Sequence, residues 1–260
     1  MKEVILLIDA DSMLWQSSFC KKEEDPEGEG YVRELDTAMW KFEEGFHRIF
    51  NYMDEQQKPV SLYKVFIQGD NNFRKVINPH YKINRVFQKK PPIYDELVSS
   101  VTSSYNAFIC NGLETDDVVA ATWKSLVDTD FDDSRVPIIV SMDKDYKQLP
   151  NLYFFDYYYT RFGLTHIGEL DAFKNLMMQM LMGDKADGVD GIKGVGVKKA
   201  EKMLEGCSSE FGLLKSTYAM YIAAYGKRKA YKEWIKNYAM LKLHTDNVVI
   251  PEYPFGFEAV

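Results

Sequence analysis

Nine carboxylates are spaced along this chain at places that matter: Asp9, Asp70, the run Glu114, Asp116 and Asp117, the pair Asp143 and Asp145, and the pair Asp184 and Asp187. Asp9 ends the apolar run VILLI, Asp70 follows KVFIQG, Asp143 follows PIIVSM, and ETDD precedes VVAA. Each group stands where a strand ends or a helix begins, where an open α/β sheet gathers its functional side chains. Acids brought together without counter-cations repel one another and resist desolvation, so divalent metal is their natural partner. Metal-dependent phosphate chemistry follows. Taken singly, no cluster is specific: ETDD is equally the acidic first turn of a helix, and Asp70 or Asp143-Lys144-Asp145 equally a strand-end turn. Their joint placement carries the inference. The methionines of Leu176–Met182, just before Asp184, read as core rather than as a cofactor box.

The elements that must position these acids are legible from pattern. Strand-like runs occur at Val4–Ile8, Leu62–Ile67, Ala107–Cys110, Val136–Ser141 and Leu152–Phe155, with helical spacing over Ala38–Tyr52 and Asp117–Val127 between them. That alternation predicts an α/β fold with a mostly parallel sheet flanked by helices. Lys21–Gly30, KKEEDPEGEG, reads as an exposed loop. Residues 71–92 form a long basic and aromatic connection of the kind that is usually functional or disordered. The tail after Asn247, with Pro251 and Pro254, is expected to run extended over the surface.

Composition sets the environment. Forty-six per cent of the 260 residues are apolar, enough for a full core. Cys20, Cys110 and Cys207 lie far apart with no CxxC pair, which excludes a disulfide framework and a structural zinc site and points to a reducing cytoplasm. The first apolar run is too short for a signal peptide or membrane span. The net charge of −7 is unevenly spread: residues 1–192 hold 21 Lys/Arg against 32 Asp/Glu, and residues 193–260 hold 11 against 7. The C-terminal part is therefore either a polyanion-binding face or a solvated helical surface.

Two basic segments accompany the acids. In Tyr81-Lys82-Ile83-Asn84-Arg85, the two cations are three apart and share a face if the segment is helical, so both could meet one phosphate. A solvated basic loop is the plain alternative. Phe73, His80 and Tyr81 nearby suit either stacking on unpaired bases or local packing. Gly194-Val195-Gly196-Val197-Lys198-Lys199 is a GxG turn leading into a helix, where free N–H groups and the lysine pair would receive a phosphate.

With these residues in place, the chain resembles the 5′ nucleases, the flap endonuclease and 5′→3′ exonuclease family that also supplies the N-terminal nuclease domain of some bacterial DNA polymerases. The resemblance rests on IDADS, VFIQGD, FR with YKINR, ETDDVVA, SMDKDYKQL and GDKADGVDGIKGVGVKKAEKML, in the family's order and over roughly residues 4–206. It implies a PIN-like, mostly parallel twisted sheet, a helical lid or arch, and a helix, three-turn, helix module that grips duplex DNA. It places a nuclease core at residues 1–182, including the lid at 71–100, and a helical DNA-binding module with the C-terminal tail at 183–260. It puts Asp9, Asp70, Glu114 and Asp116 around one metal, and Asp117, Asp143, Asp145, Asp184 and Asp187 around or near another. Asp11, at a variable position of the family's first motif, is left outside. In such a pair one cation activates the attacking water and the other steadies the leaving oxygen. By the same resemblance, Lys82 and Arg85 act on the scissile phosphate, while Arg74, Tyr81, Gly194, Gly196, Lys198 and Lys199 contact DNA. The cofactors would be two or more Mg²⁺ ions, replaceable by Mn²⁺, with K⁺ on the turn carbonyls of the helix, three-turn, helix module. The substrate would be DNA with 5′ flaps, nicks or ends, including RNA primers on DNA, cut to give 5′-phosphates in replication or repair. The chain reads as a stand-alone, cytoplasmic, monomeric nuclease away from membranes.

Some positions depart from the family pattern. Ala10 stands where Gly is usual, Gly188 where Asn is usual and Asp190 where Pro is usual, and the stretch between Asp70 and Glu114 is short for an arch. A rival reading takes IDADS as the DxD of a haloacid-dehalogenase-type phosphatase, with Asp9 as nucleophile, Asp11 as acid and Ser141 at a strand end. It leaves ETDD, YKINR and GxGxKK unexplained. A second rival, a DNA-binding protein without catalysis, gives no reason for all nine acids.

Overall fold

The N-terminal apolar run becomes the central strand of the sheet, and it is buried on both sides. The computed structural model describes residues 2–128, 134–159, 163–252 and 256–260. In chain order these form β1 (Glu3–Asp9), α1 (Asp11–Ser17), α2 (Leu35–Glu55), β2 (Val60–Asn72), α3 (Phe73–Ile77), α4 (Tyr94–Ser104), β3 (Phe108–Gly112), α5 (Thr115–Asp128) and β4 (Arg135–Val140). There follow β5 (Leu152–Phe155), β6 (Leu164–Ile167), α6 (Glu169–Met182), β7 (Gly183–Asp184), β8 (Val189–Asp190), α7 (Val197–Met203), α8 (Glu210–Tyr225), α9 (Lys227–Leu241) and β9 (Glu258–Ala259).

The sheet order is β3-β2-β1-β4-β5-β6, parallel except for β6, with β9 antiparallel on β2. The chain builds outward from β1 on one side as β2 and β3, then crosses to the other as β4 and β5. The strand order therefore reverses between β1 and β4, and the crevice beyond their carboxyl ends is where such a sheet binds ligands. Side-chain parity fixes what points there. Val4, Leu6 and Ile8 pack against α1, α2 and α4, while Ile5 and Leu7 pack against α5 and the C-terminal tail. Asp9 shares the parity of Ile5 and Leu7 and emerges at the α5 end of the crevice.

A third cluster joins the buried faces of α6, α7, α8 and α9, with Met177 and Met180 at its base and Tyr81 inserted from the 71–92 connection. The methionines of α6, on the N-terminal side of the boundary expected after residue 182, pack into this helical core. The tail is corrected. Val248 and Ile250 pack partly against the core beneath the sheet, Phe257 is buried there and β9 pairs with β2, because the apolar residues of the tail have a core to enter. Pro254 lies outside the described residues.

The connection after β2 is not a continuous helix: α3 has five residues, a 3-10 turn covers Ile83–Phe87, and α4 follows Pro91 and Pro92. Lys82 takes a left-handed backbone, φ 53°, which turns the chain sharply between His80 and the 3-10 turn. The Lys21–Gly30 loop is largely exposed as expected. At its centre, however, Asp25 is buried, and its carboxylate accepts from the N–H groups of Glu27, Glu29, Gly30 and Tyr31 and from Arg33.

Candidate active site

Four stretches of chain converge on the β1–β4 crevice: the end of β1, the turn into α5, the turn after β4, and the β7–β8 hairpin. Asp9 is buried, and its Oδ2 accepts from the Ser141 hydroxyl at 3.0 Å and the Tyr146 phenol at 2.9 Å. Burial first, and then the charges of Asp11 and Asp143, push its carboxyl up to about 7. Asp145 is likewise pushed up to about 7 by burial and by Asp143. Asp116 is held well above the carboxylate range by burial and by Asp117 and Glu114. These groups carry more negative charge than their neighbours can tolerate.

Other acids have already found counter-charge. Glu114 is buried, and its Oε2 accepts from the Tyr81 phenol at 2.7 Å and from Arg74 at 3.1 Å, while its Oε1 pairs with the Lys82 ammonium. Burial alone would raise its carboxyl, but Lys82 and Arg74 outweigh it and leave Glu114 below the ordinary range. Asp187 accepts from Tyr81 at 2.9 Å and from Arg85 at 2.9 Å, with Lys82 3.6 Å away. Lys144 pairs with Asp184 at 3.0 Å. Lys82 and Arg85, expected to share a helical face, are instead both brought to Asp187 by a left-handed residue and a 3-10 turn.

Two side chains expected to contact DNA are buried instead. Arg74 is 1% exposed and cannot touch a strand of DNA. Its guanidinium forks onto both oxygens of Asp117 and also reaches Glu114 and the carbonyls of Met240 and Lys242, capping the end of α9. Asp117 is correspondingly used up, accepting also from the His244 and Glu114 N–H groups. Tyr81, 3% exposed, cannot stack on a base, because its ring enters the helical core and its hydroxyl bridges Glu114 and Asp187. Asp70 stands exposed at the end of β2, where its N–H is held by Asn111 at 2.9 Å. Asp143 is exposed at the crevice rim, accepting from the Asp145 N–H.

Sequence reasoning passed over Asp11. Its carboxylate accepts from the Gln68 N–H at 2.8 Å and the Thr115 hydroxyl at 2.7 Å, tying α1 to β2 and α5 around Asp9. The signal was its place two residues after Asp9. The same bonds leave it poorly suited to be the acid of a phosphatase, and that rival is not favoured. Ser141 and Tyr146 were also in view inside SMDKDYKQL, and they orient Asp9.

The β7–β8 hairpin holds Asp184 and Asp187 in place. A Cβ on Gly183, φ 71°, would fall 2.2 Å from the Gly191 nitrogen, so no other residue fits there. Gly188 has φ 70°, a left-handed conformation that both Gly and Asn adopt, which accounts for the departure at this position. Further on, Gly194 and Gly196 face open space, Gly196 starts α7, and Lys198 and Lys199 are exposed beside it.

Among the described residues, no three His, Cys, Asp or Glu form a ready-made cage around one point. The donor set nevertheless suits a hard cation: the donors are all carboxylate oxygens, and the charged forms of Asp9, Asp116 and Asp145 are disfavoured first by burial and then by repulsion, both of which a cation would offset. Lys82, Arg85 and Lys144 supply positive charge to the remaining acids meanwhile. Among the described residues, no helix is long and apolar enough to cross a membrane.

Comparison with known proteins agrees with this geometry. Residues 4–170 match the family described as "5'-3' exonuclease, N-terminal resolvase-like domain". The chain is 31% identical to the DNA polymerase I of Rhizobium leguminosarum over 156 residues, covering 56% of this chain and 15% of the relative. It is 28% identical to the exodeoxyribonuclease of Enterobacteria phage T3 over 182 residues, covering 68% of this chain and 56% of the relative. The chain thus spans only part of the length of these curated relatives. A bacteriophage T5 protein co-crystallised with metal ions shares the fold at TM-score 0.64 and 16% identity, covering 94% of this chain and 90% of that one.

Proposed function

Since this chain belongs to the 5′-3′ exonuclease family, we propose that it is a structure-specific 5′ nuclease, a flap endonuclease and 5′→3′ exonuclease hydrolysing DNA phosphodiesters in replication or repair. The observation that carries this reading is the meeting of Asp9, Glu114, Asp116, Asp143, Asp145, Asp184 and Asp187 at one strand-order reversal, beneath two basic side chains, Lys82 and Arg85. The T5 flap endonuclease of the same fold was solved in complex with DNA and metal ions, which supports it. With Asp70 at the rim, these carboxylates would hold two Mg²⁺ ions, or Mn²⁺ in their place, supplying activation of water and stabilisation of the leaving oxygen.

The chain's own groups do the rest. Ser141 and Tyr146 fix one Asp9 oxygen, so that its lone pairs keep one direction. Arg74 and Asp117 hold the turn into α5 and, with it, Glu114. Lys82 and Arg85 leave their carboxylates to meet phosphate charge as it grows in the transition state. Lys198 and Lys199, with the open glycine turn before them, grip the backbone of duplex DNA, and a K⁺ ion on the turn carbonyls would fit the same role.

EDTA should abolish cleavage of a labelled 5′-flap DNA, and added Mg²⁺ or Mn²⁺ should restore it with a 5′-phosphate on the product. Cleavage at full rate in EDTA overturns the metal-centred reading. The basic segments should divide the work. Lys82→Ala is expected to lower the single-turnover rate by about a hundred-fold or more, with little change in binding. Replacing Lys198 and Lys199 together by Ala should leave the rate at saturation and flatten the salt dependence of duplex binding by about one unit per lost phosphate contact. Single-turnover cleavage with salt-titrated anisotropy decides: loss of affinity alone at Lys82, or of rate alone at the lysine pair, reverses the assignment.

A further inference from the structure

The outer face of α9 carries charge that neither the fold nor the carboxylate centre uses. Arg228, Tyr231, Lys232, Ile235 and Lys236 fall at helical spacing on one exposed stripe, opposite the buried Ala230, Trp234, Asn237 and Met240. Tyr231 is 64% exposed and Ile235 47%. Lys227 and Lys229 widen the stripe, and the one acid of α9, Glu233, lies half-buried at its edge. Among the described residues none of these five cations is in an ion pair, although most other cations near the site are. Three of them stand in the first turn, where the helix dipole opposes positive charge and no acid is present. A stripe that is unpaired, repels itself and exposes an aromatic ring among its cations weakens the fold locally, and an anionic partner removes that cost.

The placement of α9 gives the partner a direction. Its C-terminal end is held at the carboxylate centre by Arg74 and by Gln148, which donates to the Leu241 carbonyl at 3.0 Å. Its side packs on the β7–β8 hairpin through Asn237, which donates to the Asp190 carbonyl at 2.8 Å. From there the helix leads away for about 22 Å, with the cations of the stripe about 6 Å apart. A row of cations with an exposed ring between them is the arrangement that holds an unpaired strand, phosphates on the charges and a base on the ring.

We infer that the outer face of α9 is a track for single-stranded nucleic acid leaving the cleavage centre, with Arg228, Lys232 and Lys236 on phosphates and Tyr231 stacking on a base. This rests on the nuclease reading for its substrate class, but binding alone tests it. The experiment is fluorescence anisotropy of a labelled dT oligonucleotide and of a blunt hairpin duplex, each over a salt series without divalent metal. It uses the whole chain, Tyr231→Ala, and the paired change Lys232→Gln with Lys236→Gln, all on exposed positions and checked for unchanged melting.

Tyr231→Ala should weaken dT binding about ten-fold or more and leave duplex binding alone. The paired variant should lower the salt slope for dT by about 1.4. Unchanged dT binding in either variant overturns the inference, and so does an equal or larger loss on the duplex, which would make the face a duplex contact. Flap cleavage by the unaltered chain keeps the two readings apart: normal cleavage with unchanged dT binding in the variants sinks only the track, whereas no cleavage with weakened dT binding sinks only the nuclease.

Discussion

Asp143→Asn is expected to abolish cleavage while leaving DNA affinity intact or raised. Asp143 stands at the crevice rim, where its charge helps hold Asp9 and Asp145 up to about 7. Removing that charge takes away a proposed hard-cation ligand and, at the same time, a source of repulsion toward phosphate. The loss of single-turnover rate should exceed about a thousand-fold, or about 4 kcal/mol of transition-state stabilisation. Asp187→Asn should lose as much rate and show a second effect. Its carboxylate also anchors Tyr81, Arg85 and Lys82, so the 71–92 connection should become more open to protease in this variant and not in Asp143→Asn. Near-normal turnover by either variant at low Mg²⁺ removes that residue from the centre. Equal protease resistance in both removes the anchoring role.

Arg74→Ala should be the most destabilising single change outside the apolar core. The guanidinium offers a planar fork to two buried carboxylates and two carbonyls, and truncation leaves the buried Asp117 carboxylate with backbone N–H groups in place of its cation partner. Breaking a buried pair from one side costs about 3–5 kcal/mol. Arg74→Lys should recover only part of this, because one ammonium cannot span acceptors that lie in several directions. Urea unfolding of the three proteins measures it. A loss below about 1 kcal/mol for Arg74→Ala would mean the fork is solvated rather than structural.

Much of the architecture was legible because it is written in short-range pattern. The β1 run and the acid at its end needed only an unbroken apolar stretch of strand length, and α2 and α5 a period of 3.6. The acids were found because each group follows or opens an apolar run. What escaped depended on partners far along the chain. Arg74 and Tyr81 look like basic and aromatic members of a surface loop until α9 and the β7–β8 hairpin are folded against them. Asp25 looks like any acid of a charged loop until five residues turn their hydrogen bonds onto it. β6 and β9 are four and two residues long and half-exposed, too short for alternation to announce them. The methionines of α6 read as core in the sequence without saying which core they enter.

The fork of Arg74 also sets an order of assembly. Its two carbonyl acceptors lie 166 and 168 residues further along the chain. As the polypeptide leaves the ribosome, β1 through β5 can pair while the turn that carries Glu114 still lacks its final brace. The charged centre gains that brace only after α9 has emerged and docked, so in a nascent chain the turn that carries Glu114 waits on α9 for its last support.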